Sequence, residues 1–244
     1  MRKSFLLLLL AAGMLSADAQ KSKIKAQITE TTVVKDTSGN VIPAALWVPL
    51  YRSGKVKMRP INVAQDDSEF VLSRYTDEEW NKLMESMPRP HPSKAFKNNG
   101  RFGNFRERDL EGNLHNLKDL KGKVVVINFW FINCPPCRME IPDLNELVAQ
   151  YSHNKDVVFL GIALDDRYRL EEFLRIIPFR YHIIENGRNL AEGNNVKAFP
   201  THVVLDREGK ILFHTDGLAR NTVYWVKKSI DKALAQPGNL AQGK

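Results

Sequence analysis

The stretch Val126-Ile127-Asn128-Phe129-Trp130-Phe131-Ile132-Asn133-Cys134-Pro135-Pro136-Cys137-Arg138-Met139-Glu140 sets the architecture of this chain. Its first half continues the apolar run begun at Val124 and reads as a buried strand, rich in β-branched and aromatic residues. Its second half opens a helix from about Pro135 to Tyr151. Proline is tolerated in a first helical turn because the N–H groups there have no partner within the helix. Cys134 is thereby expected at the N-cap with its sulfur facing the open helix end, and Cys137 one turn inside and more buried.

Cys134 and Cys137 are the only two cysteines in 244 residues. A structural staple explains them poorly, since disulfide stabilisation grows with the length of the closed loop and this loop is among the shortest that can be drawn. Structural zinc also fits poorly. It wants four ligands, and none of the six histidines forms an H-x3-5-H pair near the motif. A redox pair remains, with no metal and no bound cofactor expected. Cys134 should attack, because a helix N-terminus stabilises its thiolate, and Cys137 should resolve the mixed disulfide.

Pro135 and Pro136 tune the pair. An N-cap sulfur accepts from the N–H groups of the second and third helical residues, but neither proline has one, which leaves only that of Cys137. No histidine lies between the cysteines, Arg138 is adjacent and Glu140 is within one turn. The thiolate should be less stabilised than in strongly oxidising C-x-x-C proteins, and the disulfide correspondingly more reducing.

Alternating strands and helices continue downstream, the pattern of an α/β layer. Val157 to Ala163 reads as a strand, Leu170, Phe173, Leu174 and Ile177 as one helical face ended by Pro178, and Val223, Val226, Ile230, Ala233 and Leu234 as an amphipathic helix. Thr201 to Leu205 and Ile211 to His214 flank a turn at Asp206-Arg207-Glu208-Gly209.

Upstream the pattern is different. Met1-Arg2-Lys3, an apolar run from Phe5 to Leu15 and Ser16-Ala17-Asp18-Ala19 have the form of a secretory signal peptide over residues 1–19. The apolar run is shorter than the roughly 20 residues a bilayer span wants, and the competing reading, an uncleaved amphipathic or anchoring helix, fits Asp18 and the Ala17/Ala19 pair less well than processing does. The reading is therefore an exported periplasmic protein with no stable membrane insertion after cleavage. Residues 20–90 read as a small, mainly β module, with strand-like stretches at Ile24 to Val34, Val41 to Tyr51 and Lys55 to Val63. Thr76-Asp77-Glu78-Glu79 has capping-box form before a short helix. Alternating prolines at Pro88, Pro90 and Pro92 suggest an extended linker, placed at residues 91–101, ahead of a domain over 102–244. The formal charge is +8, about +7 after cleavage, with bases scattered among acids and no basic run of five, so nucleic acid is not expected as a partner.

The segment from Val126 to Pro142 resembles the active-site segment of the TlpA, ResA and CcmG group of thioredoxin-like thiol-disulfide oxidoreductases. Val196-Lys197-Ala198-Phe199-Pro200-Thr201 resembles the superfamily's cis-proline loop, Asp206 to Lys210 its D-x-x-G-K hairpin, and Gly103 to Lys123 the group's lead-in. The likeness covers about Phe102 to Leu234. It implies a thioredoxin-like fold, a central mixed sheet flanked by helices, and activity as a protein-disulfide reductase. It further implies that Pro200 is a cis-proline beside the sulfurs, that the Phe199 backbone meets a substrate segment, and that Pro135, Pro136 and Trp130 line the docking surface, with Trp130, the aromatic of the F-W pair, as wall and core rather than catalyst. Glu140 matches the acidic position that influences thiol titration. Implied partners are disulfide-bearing exported proteins, apocytochrome c among them, and a membrane thiol-transfer electron donor.

Two departures stand out. Asn128 occupies the place of the buried aspartate that relays protons in thioredoxins proper, leaving Glu140 as the better candidate for that task. Asn133 replaces the tryptophan that commonly precedes the first cysteine. His202, two residues past Pro200, is either a second candidate near the site or an ordinary strand histidine. Two rival functions differ in their tests. A thiol peroxidase of the peroxiredoxin type usually has a T-x-x-C context that Phe131-Ile132-Asn133-Cys134 lacks. A thioredoxin-fold adaptor, whose N-terminal module binds a partner, would survive loss of either cysteine.

Overall fold

The computed structural model describes residues 28, 29, 31–61 and 69–236. The expected signal peptide, and the start of the alternation at Ile24, lie outside the described residues. Two compact units divide at Thr76/Asp77.

The first unit carries a four-stranded sheet in the order β2-β1-β4-β3, formed by β1 (Val34–Lys35), β2 (Val41–Ile42), β3 (Val56–Pro60) and β4 (Phe70–Arg74). The strand expected over Val41 to Tyr51 is a correction: only Val41–Ile42 is strand, and Ala44–Ser53 is helix α1. Pro43, at φ −57°, pre-sets the turn, and Ala44-Ala45-Leu46 favour helix. The helix buries Trp47 among Val34, Val56, Phe70 and Leu72. Gly54 ends it in the left-handed region at φ 70°, where its N–H reaches the Tyr51 carbonyl at 3.0 Å.

The second unit begins with α2 (Asp77–Ser86), whose first turn carries three acids in accord with the helix dipole. The hairpin β5 (Arg106–Arg108) and β6 (Leu114–Asn116) follows, then a 3-10 turn at Leu117–Leu120. The five-stranded sheet has the order β11-β10-β7-β8-β9. Its strands are β7 (Val124–Trp130), β8 (Val157–Ala163), β9 (His182–Ile184), β10 (Thr201–Leu205) and β11 (Ile211–Asp216). β7, β8 and β9 are parallel, whereas β10 is antiparallel to both of its neighbours, β7 and β11. The helices are α3 (Pro135–Gln150), α4 (Arg167–Ile176), α5 (Arg188–Gly193) and α6 (Thr222–Ala235). This is the thioredoxin-like α/β fold.

Alternation along β7 divides the core in two. Val124, Val126 and Trp130 pack with Ile141, Leu144 and Leu147 of α3 and Val226 and Ile230 of α6. Val125, Ile127 and Phe129 face Phe102, Phe105, Leu160 and Val196. Asn128 and His202 are cross-strand partners, so both point toward α3.

The boundary between units falls upstream of the expected linker. Met84 of α2 is fully buried, and Asn221 Nδ2 donates to the carbonyls of Met84 and Pro88. The Arg89 guanidinium stacks 4.6 Å from the Trp225 ring, and Thr215 Oγ1 donates to the His91 carbonyl at 2.7 Å. Residues 99–101 run along β11: Asn99 N–H donates to the Ile211 carbonyl, and Arg101 bridges Lys210. The prolines keep the segment extended, while the carbonyls of Pro88, His91 and Gly100 and the Asn99 N–H are bonded to β11 and to Asn221 at the start of α6.

Candidate functional site

Cys134 is the N-cap of α3 in extended conformation, joined to Cys137 by a disulfide. Its sulfur accepts from the Cys137 N–H at 3.2 Å, the one donor that the two prolines leave. The expected difference in exposure is a correction. Both cysteines are 2% exposed, because the apolar cluster beneath α3 takes in both sulfurs while Pro135 and Met139 stand outward.

The Phe199–Pro200 peptide bond is cis. Thr201 pairs with Phe129, which puts Pro200 at the C-terminal end of β7, where the chain turns toward Cys134. The Pro200 carbonyl accepts from Gly217 N–H at 2.8 Å, and the Phe199 ring meets Phe131 edge-on at 5.4 Å. Trp130 is a further correction as a docking residue. It is 1% exposed and wedged against Phe173 and Phe179, so it builds the floor under the helix rather than a surface.

Glu140 and His202 come together. Glu140 Oε2 lies 2.8 Å from His202 Nε2, with both side chains buried. Helical spacing sets Glu140 one turn past Cys137 on the sheet-facing side, and strand spacing sets His202 two residues past Pro200 on the same layer. Around them are three buried atoms without a protein partner: Glu140 Oε1, His202 Nδ1 and Asn128 Oδ1. The Tyr181 hydroxyl, also unpartnered, is held protonated by burial and by the Glu140 charge. The disulfide therefore has behind it a small polar island in an apolar layer, able to hold or pass a proton.

Asn133 also belongs to a second cluster, of which the sequence reading passed over Asp165, Asp166, Arg169, Asn186 and Arg188. Asn133, Phe131, Asp165, Asp166, Arg169, Asn186 and Arg188 line an open pocket of about 440 Å³. Asp165 fixes the approach to the motif by accepting from the Ile132 N–H at 2.7 Å while pairing with Arg169 at 3.2 Å. The tandem acids Asp165-Asp166 just past a buried strand were the available signal. Asp165, Asp166, Arg169 and Arg188 give this rim both signs of charge.

The AhpC/TSA family profile matches residues 99–214, just under half of the chain. The chain is 34% identical over 111 residues to thiol-disulfide oxidoreductase ResA of Bacillus cereus, covering 45% of this chain and 64% of that protein. It is 30% identical over 122 residues to ResA of Halalkalibacterium halodurans, covering 49% of this chain and 69% of that one. The crystal structure of a thiol:disulfide interchange protein DsbE from Chlorobium tepidum superposes with a TM-score of 0.53 at 25% identity, over 57% of this chain and 99% of that one. With the cysteine pair capping α3, the cis bond before Pro200 and these likenesses together, the chain belongs to the ResA-like thiol-disulfide oxidoreductases of the thioredoxin-like superfamily.

Proposed function

We propose that this protein is an exported thiol-disulfide oxidoreductase that reduces disulfides in periplasmic proteins by dithiol exchange. The observation that carries the reading is the Cys134–Cys137 disulfide at the N-terminus of α3, with Cys134 as N-cap. In the reduced protein the Cys134 thiolate attacks a substrate disulfide, releasing one substrate thiolate and leaving a mixed disulfide. Cys137 then loses its proton and attacks the Cys134 sulfur, freeing the second substrate thiolate; one substrate thiolate is protonated from solvent, replacing the proton Cys134 gave up on ionising, and the other by the Cys137 proton once its acceptor releases it. Glu140, backed by His202, takes up the Cys137 proton. No bound cofactor is needed, only an electron donor.

The docking surface consists of Pro135 and Pro136 of the motif, Phe199 and Pro200 of the cis loop, and the charged rim at Asn133. Disulfide-bearing exported proteins would be the substrates, apocytochrome c among them, and a membrane thiol-transfer protein the donor. Export is supported by the form of residues 1–19. Among the described residues no helix is long and apolar enough to cross a membrane.

The test is to express Cys137→Ala in the exporting cell, trap mixed disulfides and identify what is attached to Cys134. Recovery of exported proteins through Cys134 supports the reading. Recovery of none, with undiminished function in Cys134→Ser and Cys137→Ser strains, points to a non-catalytic adaptor. Peroxide consumption that depends on Cys134 points to a peroxidase.

A further inference from the structure

We propose that Asp109, His115 and His182 form a binding site for a divalent transition-metal ion of the zinc class, separate from the cysteine pair. The three residues come from three elements: Asp109 directly after β5, His115 in β6 and His182 in the edge strand β9. One carboxylate oxygen, Asp109 Oδ2, lies 2.8 Å from His115 Nε2 and 3.0 Å from His182 Nδ1. All three ligand atoms fall within 4.8 Å of one another. Two imidazoles and one carboxylate are a donor set suited to zinc, copper or nickel rather than to magnesium or calcium, which want oxygen ligands throughout.

To admit an ion, the two contacts to Asp109 must open slightly and the two histidine nitrogens, which lie within 4.8 Å of each other, must draw together. Around zinc with bonds of about 2.0–2.1 Å, tetrahedral ligands stand roughly 3.3 Å apart, so the oxygen-to-nitrogen separations must open by a few tenths of an ångström. The imidazoles must also turn inward, which His182 can do because its side chain is 49% exposed. Both rings then present lone pairs, with the N–H of His115 moving to Nδ1 and that of His182 to Nε2.

The surroundings already do what outer-shell groups do at metal sites. Asp109 is fully buried, and Asn113 holds it through its N–H to Oδ1 at 2.8 Å and its side-chain amide to Oδ2 at 3.0 Å. The hairpin turn is closed by the Asp109 N–H to the Asn113 carbonyl and tied to β9 by the Leu110 N–H to the Ile183 carbonyl. Arg108 and Arg167 border the hairpin with their guanidiniums engaged, Arg108 by the Gly112 carbonyl and Arg167 by Glu185 and the Leu110 carbonyl. The exposed edge of His182 is the ion's way in, and water completes the coordination. A bound ion would clip the β5–β6 hairpin to the sheet edge.

The test uses the untagged, full-length protein with its cysteines oxidised, so that thiols do not compete for metal. Calorimetric titration with Zn2+ is expected to show one site, with Mg2+ giving none, and saturating Zn2+ to raise Tm. His182→Ala should weaken Zn2+ binding by about a hundredfold, at least the loss seen when an outer-shell partner is removed. Nitrogen-15 spectra of the wild type supply a readout that does not depend on a variant folding: Zn2+ should move the His115 and His182 ring signals and leave that of His202 in place. Absence of a stoichiometric Zn2+ site, unchanged His115 and His182 signals, or His182→Ala binding as tightly as wild type would each overturn the proposal.

Discussion

His202 Nε2 and Glu140 Oε2 meet at 2.8 Å in the buried layer between β10 and α3, joining residues sixty-two positions apart. Such a hydrogen bond requires a proton on one of the two atoms. Both side chains are buried, so the pair forms a polar contact inside an apolar layer close behind the cysteine motif, where such a bond is strong and its loss costly.

Removing one partner of this pair strands the other in an apolar layer. His202→Leu should therefore cost about 3 kcal/mol, measured by urea denaturation. It should also shift the pH dependence of alkylation of the reduced cysteines, whereas a purely structural role would lower stability and leave that pH profile where it is in wild type.

Restoring a backbone donor to the first turn tests the tuning of Cys134. Pro136→His returns an N–H at the second helical position and adds a positive group beside the sulfur. A hydrogen bond to a charged acceptor is worth about 1.5–3 kcal/mol, so the glutathione equilibrium should move about tenfold or more toward the reduced dithiol. An unchanged equilibrium would show that the missing proline N–H groups do not set the potential.

Gly187 leaves no room for a side chain. A Cβ there would lie 2.2 Å from Ile162 Cγ2 and 3.0 Å from the Ala163 carbonyl oxygen, at the end of β8. Gly187→Ala should destabilise by about 3 kcal/mol through overpacking, seen as a lower Tm.

His214 supplies a pH effect whose sign is set by burial. Burial pushes its pKa below 6.5; Asp216 opposes this, as does a hydrogen bond to the Ser93 backbone, while Arg89 adds to it. The unfolded chain thus binds the proton more readily than the folded one. The stability that comes from keeping His214 neutral is complete above the unfolded value near 6.5 and is lost as pH falls below it. Denaturation midpoints between pH 7.5 and 5 should fall with acidification in wild type, and less steeply in His214→Phe.

Asn221 tests whether the proline segment is part of the second unit. It is the bond between α6 and both Met84 and Pro88. Asn221→Ala should cost about 1–3 kcal/mol for the buried carbonyls left without a donor and should speed proteolysis within residues 88–101. Proteolysis as slow as in wild type would mean that the other contacts suffice to hold it.

Local periodicity made most of the second unit legible. The runs at Val124 and Val157, the helix opened by Pro135 and the amphipathic pattern ending at Leu234 correspond to β7, β8, α3 and α6 within a residue or two. Short elements escaped. The β5–β6 hairpin, β9 and α5 are three to six residues each and carry too few positions to show a period. The first unit misled at Ala44–Ser53, where an apolar run that follows Pro43 and carries Pro49 within it suits a strand or a helix equally. There the burial of Trp47 chose the helix.

The sequence by itself determined the redox pair, its place at a helix N-terminus and the scarcity of donors to Cys134, because all three follow from residue type and spacing within one turn. It also marked Pro200, Glu140 and His202 one by one. Only the tertiary structure decided that Glu140 and His202 share a hydrogen bond, that both sulfurs are equally covered, that Trp130 is floor rather than surface, and that two histidines converge on Asp109. These are contacts between elements distant in sequence, and no local rule carries the crossing of α3 over β10 or of a hairpin over a sheet edge.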